Sequence, residues 1–101
     1  HALQEAGRNA ESISILTRYT YDNTDDTNGW HLLAQAYADS GRRDAELASR
    51  AELMALRGQW DKAIQHYIQA SQLVEVDSLD QARYDARIDQ LRLARARVSN
   101  L

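Results

Sequence analysis

The 101-residue chain contains no cysteine, no proline and no phenylalanine, and only four glycines. Without cysteine there is no disulfide framework, no thiolate metal site and no cysteine nucleophile, and the redox compartment stays open. With proline absent as well, glycine is left to punctuate the chain. No apolar run approaches ~18 residues, so no helix here can span a bilayer. A formal charge of −3 provides no global field that would draw nucleic acid. The opening HALQEAGR has neither an apolar core nor a small-residue cleavage site, so an export address, if the parent protein has one, lies outside this segment.

What is present suits a soluble globular protein: 44% hydrophobic and 27% charged residues, without the bias of a disordered chain. Lys62 is the single lysine among twelve basic residues; the arginine excess fits a surface of ion pairs as well as it fits genomic base composition.

Glycine spacing organises the sequence. Gly7 and Gly41 lie 34 residues apart and Gly58 a further 17, and all three follow helical patterns and read as helix stops. A period of 34 with a helix on each side of a short turn resembles the tetratricopeptide repeat, whose units stack because none can bury its own face. NGWHLLAQAYADSGR, residues 28–42, looks like the first helix of such a unit: Trp30, Leu33, Ala34 and Tyr37 stand at offsets 0, 3, 4 and 7 on one helical face. Ala34 has to be small where two backbones cross. Ala63, Tyr67 and Ala70, within GQWDKAIQHYIQASQL, take the small, large, small order of a second helix. GRNAESISIL is a weaker copy, with Leu16 in the large slot. Counting back from Gly7 puts Leu3 in the Tyr slot of an earlier first helix, so the chain is expected to begin inside a repeat and to come from a longer protein.

Between Gly41 and Gly58 there is room for one helix, which must serve two units. As a first helix it offers Leu47, Ala51 and Met54; as a second it places Glu46 and Arg50 at core slots, a pair that reads better as a solvated i,i+4 contact. Ser78 and Gln81 form an S-x-x-Q capping box that starts a final helix, on which Tyr84, Ile88, Leu91 and Val98 make one apolar stripe. Asp80, Asp85 and Asp89 precede most of its arginines, which complements the helix dipole; phosphate or headgroup contact is the other reading. The expected fold is therefore all-α, a tetratricopeptide-like solenoid of antiparallel helices with a long C-terminal capping helix. Its expected parts are a truncated repeat over 1–26, a repeat with a shared second helix over 27–57, the second helix of the last repeat over 58–77, and the final helix over 78–98.

Catalytic patterns are thin. His31 and His66 form no H-E-x-x-H or i,i+4 pair, and there is no nucleophile elbow, phosphate loop or dinucleotide fingerprint. The acidic loop DNTDDT, residues 22–27, lacks the glycine and terminal glutamate of a calcium loop and suits N-capping. Met54 and Trp60 are assigned to packing. A stacked solenoid does offer a concave wall, and there Asn28, His31, Gln35 and Asp39 are expected to face a partner, with His31 able to respond to mildly acidic pH.

The blocks GQWDKAIQHY and SLDQARYDARIDQLR, with GRNAESISIL and NGWHLLAQAYADSG before them, resemble the carboxy-terminal repeat domain of the periplasmic metalloproteases that enhance outer-membrane-protein assembly, zinc enzymes of the M48 type. The resemblance implies a parent with an amino-terminal zinc protease domain of the H-E-x-x-H type. No cofactor and no catalytic or metal residue is implied for this segment, and the parent's zinc would sit in that other domain. The implied partners are the outer-membrane assembly machinery, barrel substrates and the protein's own protease domain in cis, all in the periplasm, with a chaperone-like role beside degradation. A repeat scaffold of an unrelated bacterial assembly is the competing reading.

Overall fold

A computed structural model describes the backbone of residues 2–99 and the side chains of residues 7–99. Five helices run in order: α1 (Ala2–Asp22), α2 (Thr27–Asp39), α3 (Arg43–Leu56), α4 (Trp60–Gln72) and α5 (Leu79–Ser99). There is no strand among the described residues. Each helix packs chiefly on its neighbours in sequence, which makes an all-α, repeat-like slab of 52 × 31 × 19 Å.

Two turns are set by glycine. Gly41 and Gly58 adopt φ of +72° and +74°, the left-handed region where a side chain is strained. This lets Arg42 N–H donate to Tyr37 O at 3.0 Å and Gln59 N–H to Met54 O at 2.9 Å, closing α2 and α3 as Schellman motifs. Gly7 departs from expectation. α1 runs through it unbroken, with no positive φ, so the stop and the helix boundary expected there do not form. A helical glycine costs only about 1 kcal/mol, and without a left-handed residue the i→i−4 ladder simply continues. The slot expected for Leu3 lies outside the described side chains.

The α1–α2 junction rests on one residue of the acidic loop. Asp26 Oδ1 accepts from Asn28 N–H at 3.0 Å and Gly29 N–H at 3.3 Å, while Oδ2 accepts from the Tyr19 hydroxyl. Gly29 lets the two helices approach: a Cβ there would stand 2.8 Å from Tyr19 Cε1. Ser78 caps α5 by accepting from Gln81 N–H at 3.1 Å, and Gln81 Oε1 reaches back to Asp77 N–H at 2.8 Å, one residue earlier than in the simplest capping box.

α3 is the hinge of the architecture. Ala45, Ser49 and Leu53 are buried on one i,i+4 row, and Leu47, Ala51 and Ala55 on a second row roughly opposite. Two apolar rows let one helix pack on both neighbours. The second role thus runs through Ala45, Ser49 and Leu53 rather than through the Glu46 and Arg50 slots. That charged pair is not freely solvated: the Glu46 side chain is only 12% exposed and accepts from both Arg43 and Arg50 at 3.0 Å. Burial works against the Glu46 carboxylate, yet the two arginine contacts outweigh it and hold the group below its ordinary range.

The main core joins α3, α4 and α5: Ala51, Ala55, Ala63, Ile64, Tyr67, Ile88 and Leu91. Met54 and Trp60 pack at its edge. On α5 the buried stripe is Ile88 and Leu91 with Tyr84 half-buried, and Val98, expected to continue it, is 51% exposed. α5 lies along α4 and reaches over to α3, where Arg87 grips Glu52 through two bonds of 2.8 Å and Tyr84 donates to Asp44 at 2.8 Å.

Candidate functional site

The slab carries an apolar groove of about 340 Å³ to which all five helices contribute. Its floor is made of small side chains from α3, Ala45, Ala48 and Ser49, beside Leu33 of α2. Its walls are aromatic: Trp30 and Tyr37 on α2, Tyr67 on α4, Tyr84 on α5 and the highly exposed Tyr21 on α1.

Why these aromatics stay partly open follows from the spacing of the glycines. A single helix fits between Gly41 and Gly58, and it turns one row toward α2 and the other toward α4. The outer flanks of Trp30 and Tyr37 then lack a further helix to cover them, and both residues are half-buried.

Several polar atoms around the groove already have partners. Trp30 Nε1 donates to Thr24 O at 2.9 Å, which locks the indole orientation. Thr20 Oγ1 donates to Leu16 O at 2.9 Å and Ser49 Oγ to Ala45 O at 3.0 Å. What the groove offers a ligand is mainly apolar surface and ring faces, with the hydroxyls of Thr17, Tyr21 and Tyr37 in its lining. Tyr67 and Tyr84 lie with ring centroids 5.9 Å apart at an interplanar angle of 47°. Burial first, and then the neighbouring Glu52, pushes the Tyr67 hydroxyl well above its usual value; burial and the hydrogen bond to Asp44 do the same to Tyr84. Both phenols therefore stay protonated.

No charged side chain is among the residues lining the groove, but Asp44 and Glu52 accept from the hydroxyls of Tyr84 and Tyr67 in its wall. The Arg42 guanidinium lies 5.3 Å from the Tyr37 ring centroid. Thr24 of the lining also borders a separate surface depression with Asp22, Asp25 and Asp26.

Of the residues expected to form the repeat core, Leu33, Ala34, Ala63, Tyr67 and Ala70 are buried, whereas Trp30 and Tyr37 line the groove. Asn28, His31, Gln35 and Asp39 are all exposed and share one face of α2, away from Leu33. Gln35 Nε2 donates to Asp39 Oδ1 at 3.1 Å, so two of the four engage each other. None of the four lines the groove. Sequence reasoning missed Tyr21, Ala45, Ala48, Ser49 and Tyr84 as lining residues. The usable signal was the half-period between Gly41 and Gly58, which implies an uncovered flank.

No family model matches the chain. Among curated proteins it is 57% identical over 91 residues to a Vibrio cholerae serotype O1 protein with the provisional name beta-barrel assembly-enhancing protease, covering 90% of this chain and 19% of the relative. It is 55% identical over 92 residues to the beta-barrel assembly-enhancing protease of Escherichia coli K12, covering 91% of this chain and 19% of the relative. This stretch is homologous to the beta-barrel assembly-enhancing proteases. The corresponding Yersinia pestis protein is 57% identical over 83 residues, 82% of this chain and 17% of its own length. The chain thus spans about a fifth of the relatives it matches, whose names describe them as proteases that enhance beta-barrel assembly.

Proposed function

We propose that this chain is the partner-recognition part of a beta-barrel assembly-enhancing protease, a carboxy-terminal tetratricopeptide-like module that holds assembly components or barrel substrates in the periplasm. The observation that carries this reading is the five-helix groove, whose aromatic walls and small-residue floor suit capture of protein side chains. The names of the relatives supply the cellular setting. Proteolysis in this reading belongs to another domain of the parent. In this reading the zinc, too, is held by that other domain.

Photo-crosslinking in the full-length parent protein tests it, with the probe placed in turn at Tyr21 on the groove rim and at His31 on the outer face of α2. Adducts with outer-membrane or assembly proteins from either position are expected. Adducts only within the parent chain from both positions would end the reading.

A further inference from the structure

Of the four asparagines in the chain, Asn28 alone precedes a glycine; Asn9, Asn23 and Asn100 are followed by Ala10, Thr24 and Leu101. An asparagine in that position can react with its own backbone. The Gly29 nitrogen attacks Asn28 Cγ, and since glycine carries no Cβ nothing crowds the five-membered ring that forms. As the new N–Cγ bond closes, the bond from Cγ to Nδ2 breaks, and the proton from the Gly29 amide leaves with Nδ2 as ammonia. Water then opens the cyclic imide at either carbonyl, giving aspartate or isoaspartate.

In the folded chain three features close this path. α2 begins at Thr27, so Asn28 is helical, and a helical ψ of about −42° holds Gly29 N roughly 80° away from the eclipsed arrangement with Cβ that the ring requires. Gly29 N–H donates to Asp26 Oδ1 at 3.3 Å, and a carboxylate so near disfavours the amide anion that would attack. Gly29 itself is buried against the Tyr19 ring, although Asn28 beside it is exposed.

All three depend on one junction. The Tyr19 hydroxyl donates to Asp26, so the cap and the covering ring belong together. α1 rests on α2 with Thr20 as its one buried side chain among those described, which makes this the contact most easily opened.

We infer that Asn28–Gly29 is a latent deamidation site, held closed by the Asp26 cap and the Tyr19 ring and exposed when α1 lifts from α2. The reaction runs one way, because ammonia is lost. Aspartate adds a negative charge to the exposed face of α2 that carries His31, Gln35 and Asp39. Isoaspartate adds a methylene to the main chain just where a Cβ on Gly29 would already stand 2.8 Å from Tyr19, so the junction cannot close again as before.

Peptide mapping by mass spectrometry tests this in the full-length parent protein, incubated at neutral pH and sampled over weeks. The tryptic peptide 19–42 holds both Asn23 and Asn28, and fragmentation separates them. In guanidinium chloride Asn28 is expected to be the fastest site. In the native protein it should react at least about tenfold more slowly, at a rate set by the open fraction of the junction. Asp26→Ala should raise the native rate about fivefold, the factor a lost N-cap gives, and leave the rate in denaturant unchanged. Should that variant lose its fold, Tyr19→Phe, which removes only the hydroxyl contact, should raise the native rate by a smaller factor. Protein enriched in isoaspartate should exchange its α1 amides faster while α4 and α5 keep theirs. A native rate equal to the denatured one, a folded Asp26→Ala protein that reacts no faster than wild type, or Asn23 reacting ahead of Asn28 in denaturant would each overturn the inference.

Discussion

Between α3, α4 and α5 the apolar side chains close over one another and are tied by Arg87–Glu52, Tyr67–Glu52 and Ser71–Asp85 contacts. α1, in contrast, rests on α2 with Thr20 as its one buried side chain among those described, while Ile15 is 62% and Tyr21 83% exposed. Both halves are helical, so helix content says nothing of which half bears the stability. The difference lies in layers: α4 has a partner on each side, and α1 has one. Burial at ~25 cal/mol per Å² rewards the side that is covered twice.

Three measurements would break or sharpen this contrast. The largest effect is expected from Leu91→Ala. This side chain is 1% exposed at the α5 seam, so its truncation should cost about 2–5 kcal/mol and lower the melting temperature of the whole chain. A loss under about 0.5 kcal/mol would show that α5 is an appendage and not part of the core.

Gly29→Ala should act on the other half. Its Cβ would meet Tyr19 at 2.8 Å, and overpacking of about 1–3 kcal/mol is offset by about 1 kcal/mol of helix propensity. Amide protection should fall in α1 while α4 and α5 keep theirs. Equal loss in all helices would mean that the two halves unfold as one.

Acid should loosen the same junction more gently. The Tyr19 hydroxyl first, and then the Gly29 amide, hold the Asp26 carboxyl below its ordinary value. Because the folded value is lowered, the stabilisation is complete above the unfolded carboxylate value of about 3.9 and is lost as pH falls through the folded one. Hydrogen exchange in α1 should rise below that pH. Asp26→Asn should remove this step and leave the acid response of Glu46, which is shifted in the same direction within α3. An α1 response identical in wild type and Asp26→Asn would dissociate the cap from the effect.

Much of the helix plan could be read before any coordinates. Gly41 and Gly58 end helices because only they relieve the left-handed turn, and Ser78 with Gln81 starts α5 because an alcohol and an amide three residues apart satisfy free N–H groups. Gly7 misled, since the same residue without the turn is merely a weak point in a helix. Glu46 and Arg50 misled too. A slot rule cannot foresee that α3 would rotate its buried rows to Ala45, Ser49 and Leu53 and shelter a charge pair beside them.

The candidate site was less legible. The exposed face of Asn28, His31, Gln35 and Asp39 follows from the helical period alone. The groove does not, because Trp30, Tyr37, Ala48 and Tyr84 are spread over three helices and meet only once those helices are stacked.

The sequence by itself determined where α2 and α3 end, where α5 begins and that Leu33 and Ala34 of α2 turn inward, because capping chemistry and the 3.6-residue period act over a few residues. Only the tertiary structure decided that Trp30 and Tyr37 would remain partly uncovered, that α5 would lie on α4 and clasp α3, and that Arg42 would stand over the Tyr37 ring. Those outcomes depend on which surfaces compete for burial when one helix must serve two neighbours, and that competition is settled by the whole stack.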